Sequence, residues 1–400
     1  MRKKKVLFFI NTLRFGGAER VVSIMVNHLK DDYEIHLALF HKEIAFPVSE
    51  DIVLVDLKEN PSTGNSLMLL RLPLIARKLS KYCKANEIEL VISFLNRPSY
   101  VTAFMKSCWG FKGKIIMCER SYQSQMLNYI TSSSYSYRFI TKKLIHFAYQ
   151  RANIIISNSI ISKEDLQNNF AITTPIEVIY NPVDIAAIQQ MSREPKPDCF
   201  SDAGAFYFIA IGNFRAEKNF GLLLQSFSLI QPLINAKLIF VGSGALENTQ
   251  KMLAHKLGIN DHVIFCGFQQ NPYKFISNAN CLVLSSYTEG FPNVLLEALA
   301  CSKTIVSTDC LSGPRELLAP SSLPSQQVKE GIEVADFGIL TAVNNSKALA
   351  EGMMKAYSDK TLRSSFEIKA IERAAVFNIN ININQYRQVI DNILQISTKH

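Results

Sequence analysis

Two glutamates in one short segment have the types and the spacing for binding chemistry. Glu289 and Glu297 are separated by seven residues in the segment YTEGFPNVLLEAL, residues 287–299, which follows the apolar run 281–284. A short apolar run followed by glycine and proline predicts a buried strand, a tight turn and the start of a helix. One carboxylate would then stand just before the helix and the other about one turn inside it.

The start of this predicted helix offers a second kind of binding group. The first backbone N–H groups of a helix have no partner within the helix and lie at the positive end of its dipole, so they bind anions and hydroxyls. Carboxylates accept paired hydrogen bonds from diols, so the segment suits a sugar nucleotide. The alternative is an amphipathic helix with two solvated glutamates. The candidate binding residues here are Gly290, Phe291, Pro292, Asn293 and Glu297.

A pair of cations follows another predicted strand. Arg215 and Lys218 lie in the loop GNFRAEKNF, residues 212–220, directly after the apolar run 206–211. Two cations on a strand-to-helix turn can neutralise a departing diphosphate. The alternative is a pair of solvated loop charges.

Two further polar motifs follow strands in the first half. Gly16 and Gly17 come after the predicted strand 6–10 and allow close backbone approach to a phosphate. No G-x-G-x-x-G pattern occurs, which argues against a nicotinamide cofactor. Glu119 and Arg120 follow the predicted strand 114–118, where Arg120 could bind an acceptor phosphate or form a surface salt bridge.

The paired glutamates, with Gly-Phe-Pro-Asn between them, resemble the signature of retaining glycosyltransferases of family 4, which have the GT-B fold. Residues 212–220 resemble the donor loop of that family, and GGAER, residues 16–20, resembles its first glycine loop. GPRE, residues 313–316, resembles a stretch that closes over the donor in the branch that assembles lipid-linked bacterial glycans (O-antigen, capsule or N-glycan precursor). Many relatives have a sugar-contacting histidine where Glu119 and Arg120 stand, so the role of that histidine cannot be transferred.

The resemblance implies a role for each candidate residue. Arg215, Lys218 and Glu289 would be catalytic. Gly16, Glu119 and Arg120 would contact the acceptor. The donor would be bound by the glycine positions and by the loop that lines the nucleobase, where Phe268 or Tyr273 is available to pack on the base; the donor set is Gly17, Gly212, Gly267, Phe268, Gly290, Phe291, Pro292, Asn293 and Glu297. No D-x-D pair occurs, so no metal ion is required.

Composition and periodicity predict how these residues are positioned. The chain has 400 residues, 48% of them hydrophobic, which is enough for two domains with ordinary cores. Strand and helix patterns alternate, so we expect an α/β protein with parallel sheets covered by helices. The resemblance implies the GT-B arrangement, with two Rossmann-like domains whose parallel sheets face a central cleft. The predicted parts are an acceptor domain at 1–190, a linker at 191–204, a donor domain at 205–375 and a helix at 376–400, which the resemblance implies crosses back to the first domain. That tail alternates Asn and Ile and could be a strand, but its apolar stripe favours a helix.

The positive charge is concentrated in the first half of the chain. The formal charge is +9, and residues 1–200 account for +8 of it. No acidic residue stands between Glu119 and Glu164, whereas basic and aromatic residues alternate there. This pattern predicts membrane contact through residues 135–151, ahead of a helix packed on the sheet and of nucleic-acid binding. Eight cysteines without a C-x-x-C pair indicate reduced thiols in the cytoplasm.

Together these observations predict a retaining hexosyltransferase. It would move a hexose or N-acetylhexosamine from a UDP-sugar to a polyprenyl-diphosphate-linked saccharide in surface polysaccharide biosynthesis. It would work without a cofactor, in the cytoplasm, peripherally associated with the inner face of the cell membrane. The alternatives are a UDP-sugar epimerase of the same fold and a non-catalytic donor-binding subunit of a glycan assembly complex.

Overall fold

A computed structural model describes residues 2–14, 16–60, 65–130 and 135–396. The chain forms two compact units, each with its own seven-stranded sheet. Unit 1 comprises the chain up to Pro182 together with the chain from Asn380 onward, and unit 2 runs from Val183 to Ile379.

The sheet of unit 1 is entirely parallel in the order β3-β2-β1-β4-β5-β6-β7. Its strands are β1 (Lys5–Ile10), β2 (Glu34–Leu39), β3 (Val53–Asp56), β4 (Leu90–Phe94), β5 (Lys114–Glu119), β6 (Ile154–Ser157) and β7 (Ile176–Val178). The helices that follow them are α1 (Gly17–Leu29), α2 (Asn65–Ala85), α3 (Asn96–Cys108), α4 (Gln123–Ile130), α5 (Tyr135–Tyr149) and α6 (Ile160–Phe170). Central strands such as β4 are buried along their whole length because helices cover both faces of a parallel sheet.

The sheet of unit 2 has the order β10-β9-β8-β11-β12-β14-β13, and only β13 is antiparallel to its neighbour. Its strands are β8 (Phe206–Ile211), β9 (Ala236–Val241), β10 (Val263–Phe265), β11 (Cys281–Leu284), β12 (Thr304–Thr308), β13 (Ile332–Val334) and β14 (Ile339–Thr341). Its helices are α7 (Ile185–Ser192), α8 (Phe220–Ile230), α9 (Glu247–Lys256), α10 (Tyr273–Asn278), α11 (Asn293–Ala300), α12 (Pro314–Leu318), α13 (Ser346–Ser358) and α14 (Lys360–Ala375).

The direction of strand order reverses at one place in the unit 2 sheet. Chain order runs from β8 to β10 on one side of β8, and the next strand, β11, lies on its other side. In doubly wound sheets ligands bind outside the carboxyl ends of the strands at this switch point. The loops after β8 and β11 are therefore the expected site within unit 2, and they hold the predicted cation pair and the first glutamate.

The last helix of the described residues is α15 (Ile379–Ile396). The helical interpretation of the Asn and Ile alternation is therefore confirmed, and the strand alternative is wrong. A stripe of Ile383, Tyr386 and Ile390 is buried, because these positions share one face at helical spacing. Arg387 is paired with Asp32, and Tyr33 donates a hydrogen bond of 2.6 Å to Asp391 within unit 1.

The division between the units differs from the predicted domain boundaries. The chain passes from unit 1 to unit 2 between Pro182 and Val183 rather than within residues 191–204. The predicted linker is tied to unit 2 by hydrogen bonds from Asn271 Nδ2 to the Met191 carbonyl (2.8 Å) and from Ser277 Oγ to the Ser192 carbonyl (3.1 Å). Within the described ranges, no helix has the length and apolar character needed to cross a bilayer.

Candidate functional site

An ion pair joins the loops after β8 and β11. Lys218 Nζ lies 2.7 Å from Oε1 of Glu289, and Ser286 Oγ donates to the same oxygen at 2.6 Å. The Lys218 side chain is 21% exposed and that of Glu289 is 11% exposed, so a ligand can still reach both. Among the described residues, none donates a hydrogen bond to Oε2 of Glu289. The pair thus presents a cation and an unshared carboxylate oxygen at the switch point.

The backbone around this pair is braced by neighbouring strands. The Tyr287 N–H donates to the Glu217 carbonyl at 2.9 Å, and Ser285 Oγ donates to the Lys218 carbonyl at 2.8 Å. Thr308, at the end of β12, donates to the Ser286 carbonyl at 2.7 Å. Three loops are therefore fixed to one another before any ligand binds, which preorganises the charged groups.

Burial and charge act in opposite directions on the Lys218 ammonium. Burial alone would lower the pKa of Lys218, but the Glu289 carboxylate outweighs it and raises that pKa above the usual value. Lys218 is therefore a permanent cation at physiological pH, as stabilisation of a leaving diphosphate requires.

Glycines allow the loops after β8 and β9 to approach closely. A side chain at Gly242 would overlap the Gly212 carbonyl oxygen, and one at Gly244 would lie 2.7 Å from the Phe214 backbone nitrogen. The Phe214 N–H donates to the Ser243 carbonyl at 3.0 Å across this contact. The Lys218 stem lies over Gly212, where an added Cβ would be 3.5 Å from Lys218 Cε. The predicted donor residue Gly212 thus packs against the aliphatic part of the Lys218 side chain.

The turn before α11 is held by the loop after β12. Gly313 has a φ of +98°, and a side chain there would overlap Cδ of Pro292 and lie 3.0 Å from Cα of Phe291. Ser312 Oγ donates to the Gly290 carbonyl. Pro292 is the residue that caps α11 rather than its first helical residue, because its ψ of 106° is extended. The helix start predicted from the sequence is present one residue later than expected.

The other predicted donor residues lie around the same edge of the sheet. Asn293 begins α11, and Glu297 is buried one turn further along. Gly267 follows β10, accepts a hydrogen bond of 2.8 Å from the Gly242 N–H, and precedes the exposed ring of Phe268. Tyr273, the alternative aromatic residue, is buried in the core. Phe268 is thus the ring that a nucleobase can reach.

Arg215 lies on the same loop as Lys218 but is not fixed in the same way. Its side chain is 67% exposed and lies 3.9 Å from Glu217. In contrast, Arg315 of the GPRE motif is buried between Asp309 and Glu333, with contacts of 2.5 and 2.8 Å. Arg315 therefore ties the loop after β12 to β13 and is not exposed to a ligand.

The candidate residues of unit 1 fall into two kinds. Gly16 caps α1 and Gly17 is its first residue, exposed at the helix start. Glu119 is instead buried, with Oε1 accepting from the Arg120 and Ser121 N–H groups at 2.7 and 2.8 Å. Its Oε2 accepts from Gln123 and from the Tyr149 hydroxyl.

Arg120 is also engaged within unit 1. Its guanidinium donates to Asn181 Oδ1 at 3.1 Å and to the Tyr386 hydroxyl of α15, and it lies 5.1 Å above the Phe94 ring. Arg120 is buried, and among the described residues it forms no salt bridge, so the surface salt bridge between helices considered from the sequence is wrong. The acceptor contact of both side chains stays a prediction, and their geometry gives them a structural role.

Two features of the site could not be read from the sequence. Ser286 holds Glu289 Oε1, and the only signal for it is a hydroxyl three residues before the glutamate. The triad of Arg315, Asp309 and Glu333 requires a contact between residues 18 positions apart in the chain. Within the described part of the chain, no group of three His, Cys, Asp or Glu side chains is arranged to hold a metal ion.

Comparisons with known proteins show the family of the chain. Residues 15–187 match the model of Glycosyltransferase Family 4, and residues 194–373 match that of Glycosyl transferases group 1. The chain is 32% identical to the N-acetylgalactosamine-N,N'-diacetylbacillosaminyl-diphospho-undecaprenol 4-alpha-N-acetylgalactosaminyltransferase of Campylobacter jejuni, over 94% of this chain and 96% of that protein.

Two solved structures share the fold at low identity. Sucrose-phosphate synthase from Thermosynechococcus elongatus has a TM-score of 0.81 and 16% identity, over 98% of this chain and all of that chain (100%). Anabaena HepE in complex with UDP-glucose has a TM-score of 0.74 and 18% identity, over 97% of this chain and 99% of that chain. Fold and site together define a GT-B glycosyltransferase. The chain belongs to glycosyltransferase family 4, which confirms the resemblance carried by its paired glutamates.

Proposed function

We propose that this glycosyltransferase moves a hexose or an N-acetylhexosamine from a UDP-sugar to a polyprenyl-diphosphate-linked saccharide, with retention of the anomeric configuration. The Lys218–Glu289 pair at the switch point of the unit 2 sheet carries the proposal. It offers a fixed cation to a leaving diphosphate and an unshared carboxylate oxygen to a sugar hydroxyl.

In the proposed reaction the bond between the sugar C1 and the diphosphate oxygen breaks, and negative charge grows on the diphosphate. Lys218 and the exposed Arg215 stabilise that charge from one loop, together with the start of α11. The acceptor hydroxyl bonds to C1 on the face that the diphosphate leaves, and its proton passes to a diphosphate oxygen. In this proposal Glu289 binds a sugar hydroxyl through Oε2 and does not attack C1, while Lys218 and Ser286 hold its Oε1 in position.

The uridine end of the donor is assigned to the loop after β10. Phe268 is exposed there, and an aromatic ring can pack against the flat face of uracil. Gly267 faces open space, because a Cβ added there would meet no atom within 4 Å. The solved structure of Anabaena HepE contains UDP-glucose, which supports a UDP-sugar as the donor class.

The lipid-linked acceptor is proposed from the Campylobacter jejuni relative, whose name specifies a diphospho-undecaprenol-linked substrate. For this chain we propose the same class of acceptor, used in surface polysaccharide biosynthesis at the cytoplasmic face of the membrane. Gly16 and Gly17 at the start of α1 are the candidates to contact it. Residues 135–151 are the candidate membrane contact, although the side chains of Tyr135 and Tyr137 lie outside the described residues.

The experiment that tests the proposal measures UDP release from a panel of UDP-sugars, with and without lipid-linked saccharides. Acceptor-dependent release from one donor supports transfer, and the coupling constant of the new anomeric proton reports whether the configuration is retained. Acceptor-independent conversion of the donor would instead indicate an epimerase. Tight donor binding without any release would indicate a non-catalytic donor-binding subunit.

A further inference from the structure

An apolar groove lies between α3 and α5 on the surface of unit 1. It has a volume of about 330 Å³ and is lined by Phe104, Phe139, Ile140, Lys143, Leu144 and Phe147. The rings of Phe104 and Phe147 lie 5.2 Å apart and connect the two helices. Five of the six lining side chains are hydrocarbon only, so water inside the groove finds few hydrogen-bond partners.

The rim of the groove is apolar and faces solvent. Phe139 is 55% exposed and Ile140 is 51% exposed, on the outer side of α5. On the far side of α3, helix α2 exposes Leu70 and Leu74 as well. Single exposed apolar residues are ordinary, but such residues beside an open apolar groove mark a surface that binds a partner.

The charges around the groove are of one sign. The described residues of α5 carry Arg138, Lys142 and Lys143 and no acidic residue. Lys143 Nζ lies 5.5 Å above the Phe139 ring, and Arg151 lies 3.6 Å above the Phe147 ring. The charged ends of these two side chains therefore stand over the ring faces at cation–π distance, beside the apolar groove.

We propose that this groove binds a hydrocarbon chain of an anionic membrane lipid and so seats α5 on the bilayer. The inference rests on the membrane placement within the proposed function and adds the binding site and the lipid class to it. An anionic lipid matches this surface because it supplies both a narrow apolar chain for the groove and a negative headgroup for the basic side chains. A neutral lipid supplies only the chain. A protein partner could match this surface only if acidic groups surrounded its own apolar contact and paired with the basic residues of α5.

Vesicle cosedimentation tests the surface without any donor or acceptor. We expect the protein to bind vesicles of phosphatidylglycerol and phosphatidylcholine, and to bind pure phosphatidylcholine much more weakly. Ile140→Asn should weaken binding to the anionic vesicles about tenfold, and Lys142→Gln with Lys143→Gln should weaken it roughly thirtyfold at low salt. Ile368→Asn is the matched control, because Ile368 is 81% exposed in unit 2, and it should leave binding unchanged.

A second measurement asks whether the groove itself receives the chain. In a Phe139→Trp variant, lipids brominated along their acyl chains should quench the new fluorescence beyond that of Trp109 in the parent protein. Absence of this extra quenching, equal binding of neutral vesicles, or equal loss in Ile368→Asn would each overturn the proposal. So would an Ile140→Asn variant that loses self-association in sedimentation velocity but keeps vesicle binding, because the surface would then join two copies.

The two proposals fail separately. UDP release with a short-chain, water-soluble acceptor should be the same for Ile140→Asn and for the parent protein. If neither protein transfers sugar while the vesicle results stand, the proposed function is wrong and the lipid site is retained. If transfer is normal and vesicles are not bound, the lipid site is wrong and the proposed function is retained.

Discussion

The two units place charged groups at the carboxyl edges of similar sheets and use them differently. Glu119 at the end of β5 and Arg120 beside it are buried, and their hydrogen bonds go to other groups of unit 1. Lys218 and Glu289 join two loops of unit 2, remain partly exposed and leave one carboxylate oxygen unshared. The same kind of residue after the same kind of strand thus supports the fold in one unit and can bind a ligand in the other.

Burial accounts for the difference. A buried charge is retained only when its hydrogen bonds are satisfied inside the protein, and losing a partner is then costly. Burial raises the pKa of the Glu119 carboxyl, and the hydrogen bonds from Ser121, Tyr149, Gln123 and Arg120 oppose that rise. Strand order fixes where a charged group stands, and the surrounding side chains decide whether a ligand can use it.

The largest effect should come from Lys218→Ala. Removing the cation from the leaving diphosphate should lower kcat by on the order of 10²–10³-fold. Lys251→Ala is the matched control, because Lys251 Nζ lies at the same 2.7 Å from a glutamate oxygen but on an exposed helix surface. Steady-state UDP release measures both, and full turnover of Lys218→Ala would contradict the assignment.

Glu119→Ala should affect stability instead of transfer. It leaves the Tyr149 hydroxyl, Gln123 and two backbone N–H groups without their acceptor, which should cost about 3 kcal/mol of unfolding free energy. Urea unfolding measures the loss, with the exposed Glu177→Ala as control. A variant with full stability and a raised KM for the acceptor would restore the acceptor-binding role predicted from the sequence.

A smaller loss is expected for Ser286→Ala. Without the 2.6 Å hydrogen bond to Glu289 Oε1, the carboxylate is positioned by Lys218 alone, and kcat should fall about tenfold with little change in donor affinity. Ser226→Ala removes an equally buried hydroxyl whose one hydrogen-bond partner among the described residues is the Leu222 carbonyl, so it should leave kcat unchanged. Equal losses in both variants would mean that general destabilisation, rather than positioning, explains the effect.

The smallest effect is expected from metal removal. If Lys218 and Arg215 neutralise the leaving diphosphate, UDP release after dialysis against EDTA should equal that of the untreated protein. Activity that is lost on dialysis and restored by Mg²⁺ or Mn²⁺ would show that unit 2 needs a metal ion in addition to its own cations.

The elements that position the site could largely be predicted from the sequence. Apolar runs such as 206–211 and 281–284 are buried strands because parallel sheets are covered on both faces, and their periodicity is unambiguous. The position of Lys218 and Glu289 at one edge follows from the alternation of strand and helix. The antiparallel hairpin β13–β14 was not predicted, because three-residue strands carry too little pattern.

Contacts between distant residues account for what could not be predicted. The sequence does not reveal that Arg120 would reach Tyr386, 266 residues away, or that Arg315 would be buried between two carboxylates. Arg120 is a candidate phosphate ligand because it follows a strand, and Arg315 lies in the GPRE stretch that resembles one closing over the donor. Whether a side chain beside a strand end points to solvent depends on packing partners that only the folded chain brings together.

The position of α15 in unit 1 has a consequence for synthesis on the ribosome. Tyr386 and Ile390 fill unit 1, but they are made only after all of unit 2. At roughly 5–20 residues per second, the nascent chain takes on the order of 10–40 s to extend from Pro182 to Asn380. During that interval Arg120 lacks its tyrosine partner. Unit 1, which contains the first residues to be synthesised, is therefore the last unit to complete its fold. Premature termination late in translation would remove α15 and leave unit 1 without the side chains of Tyr386 and Ile390.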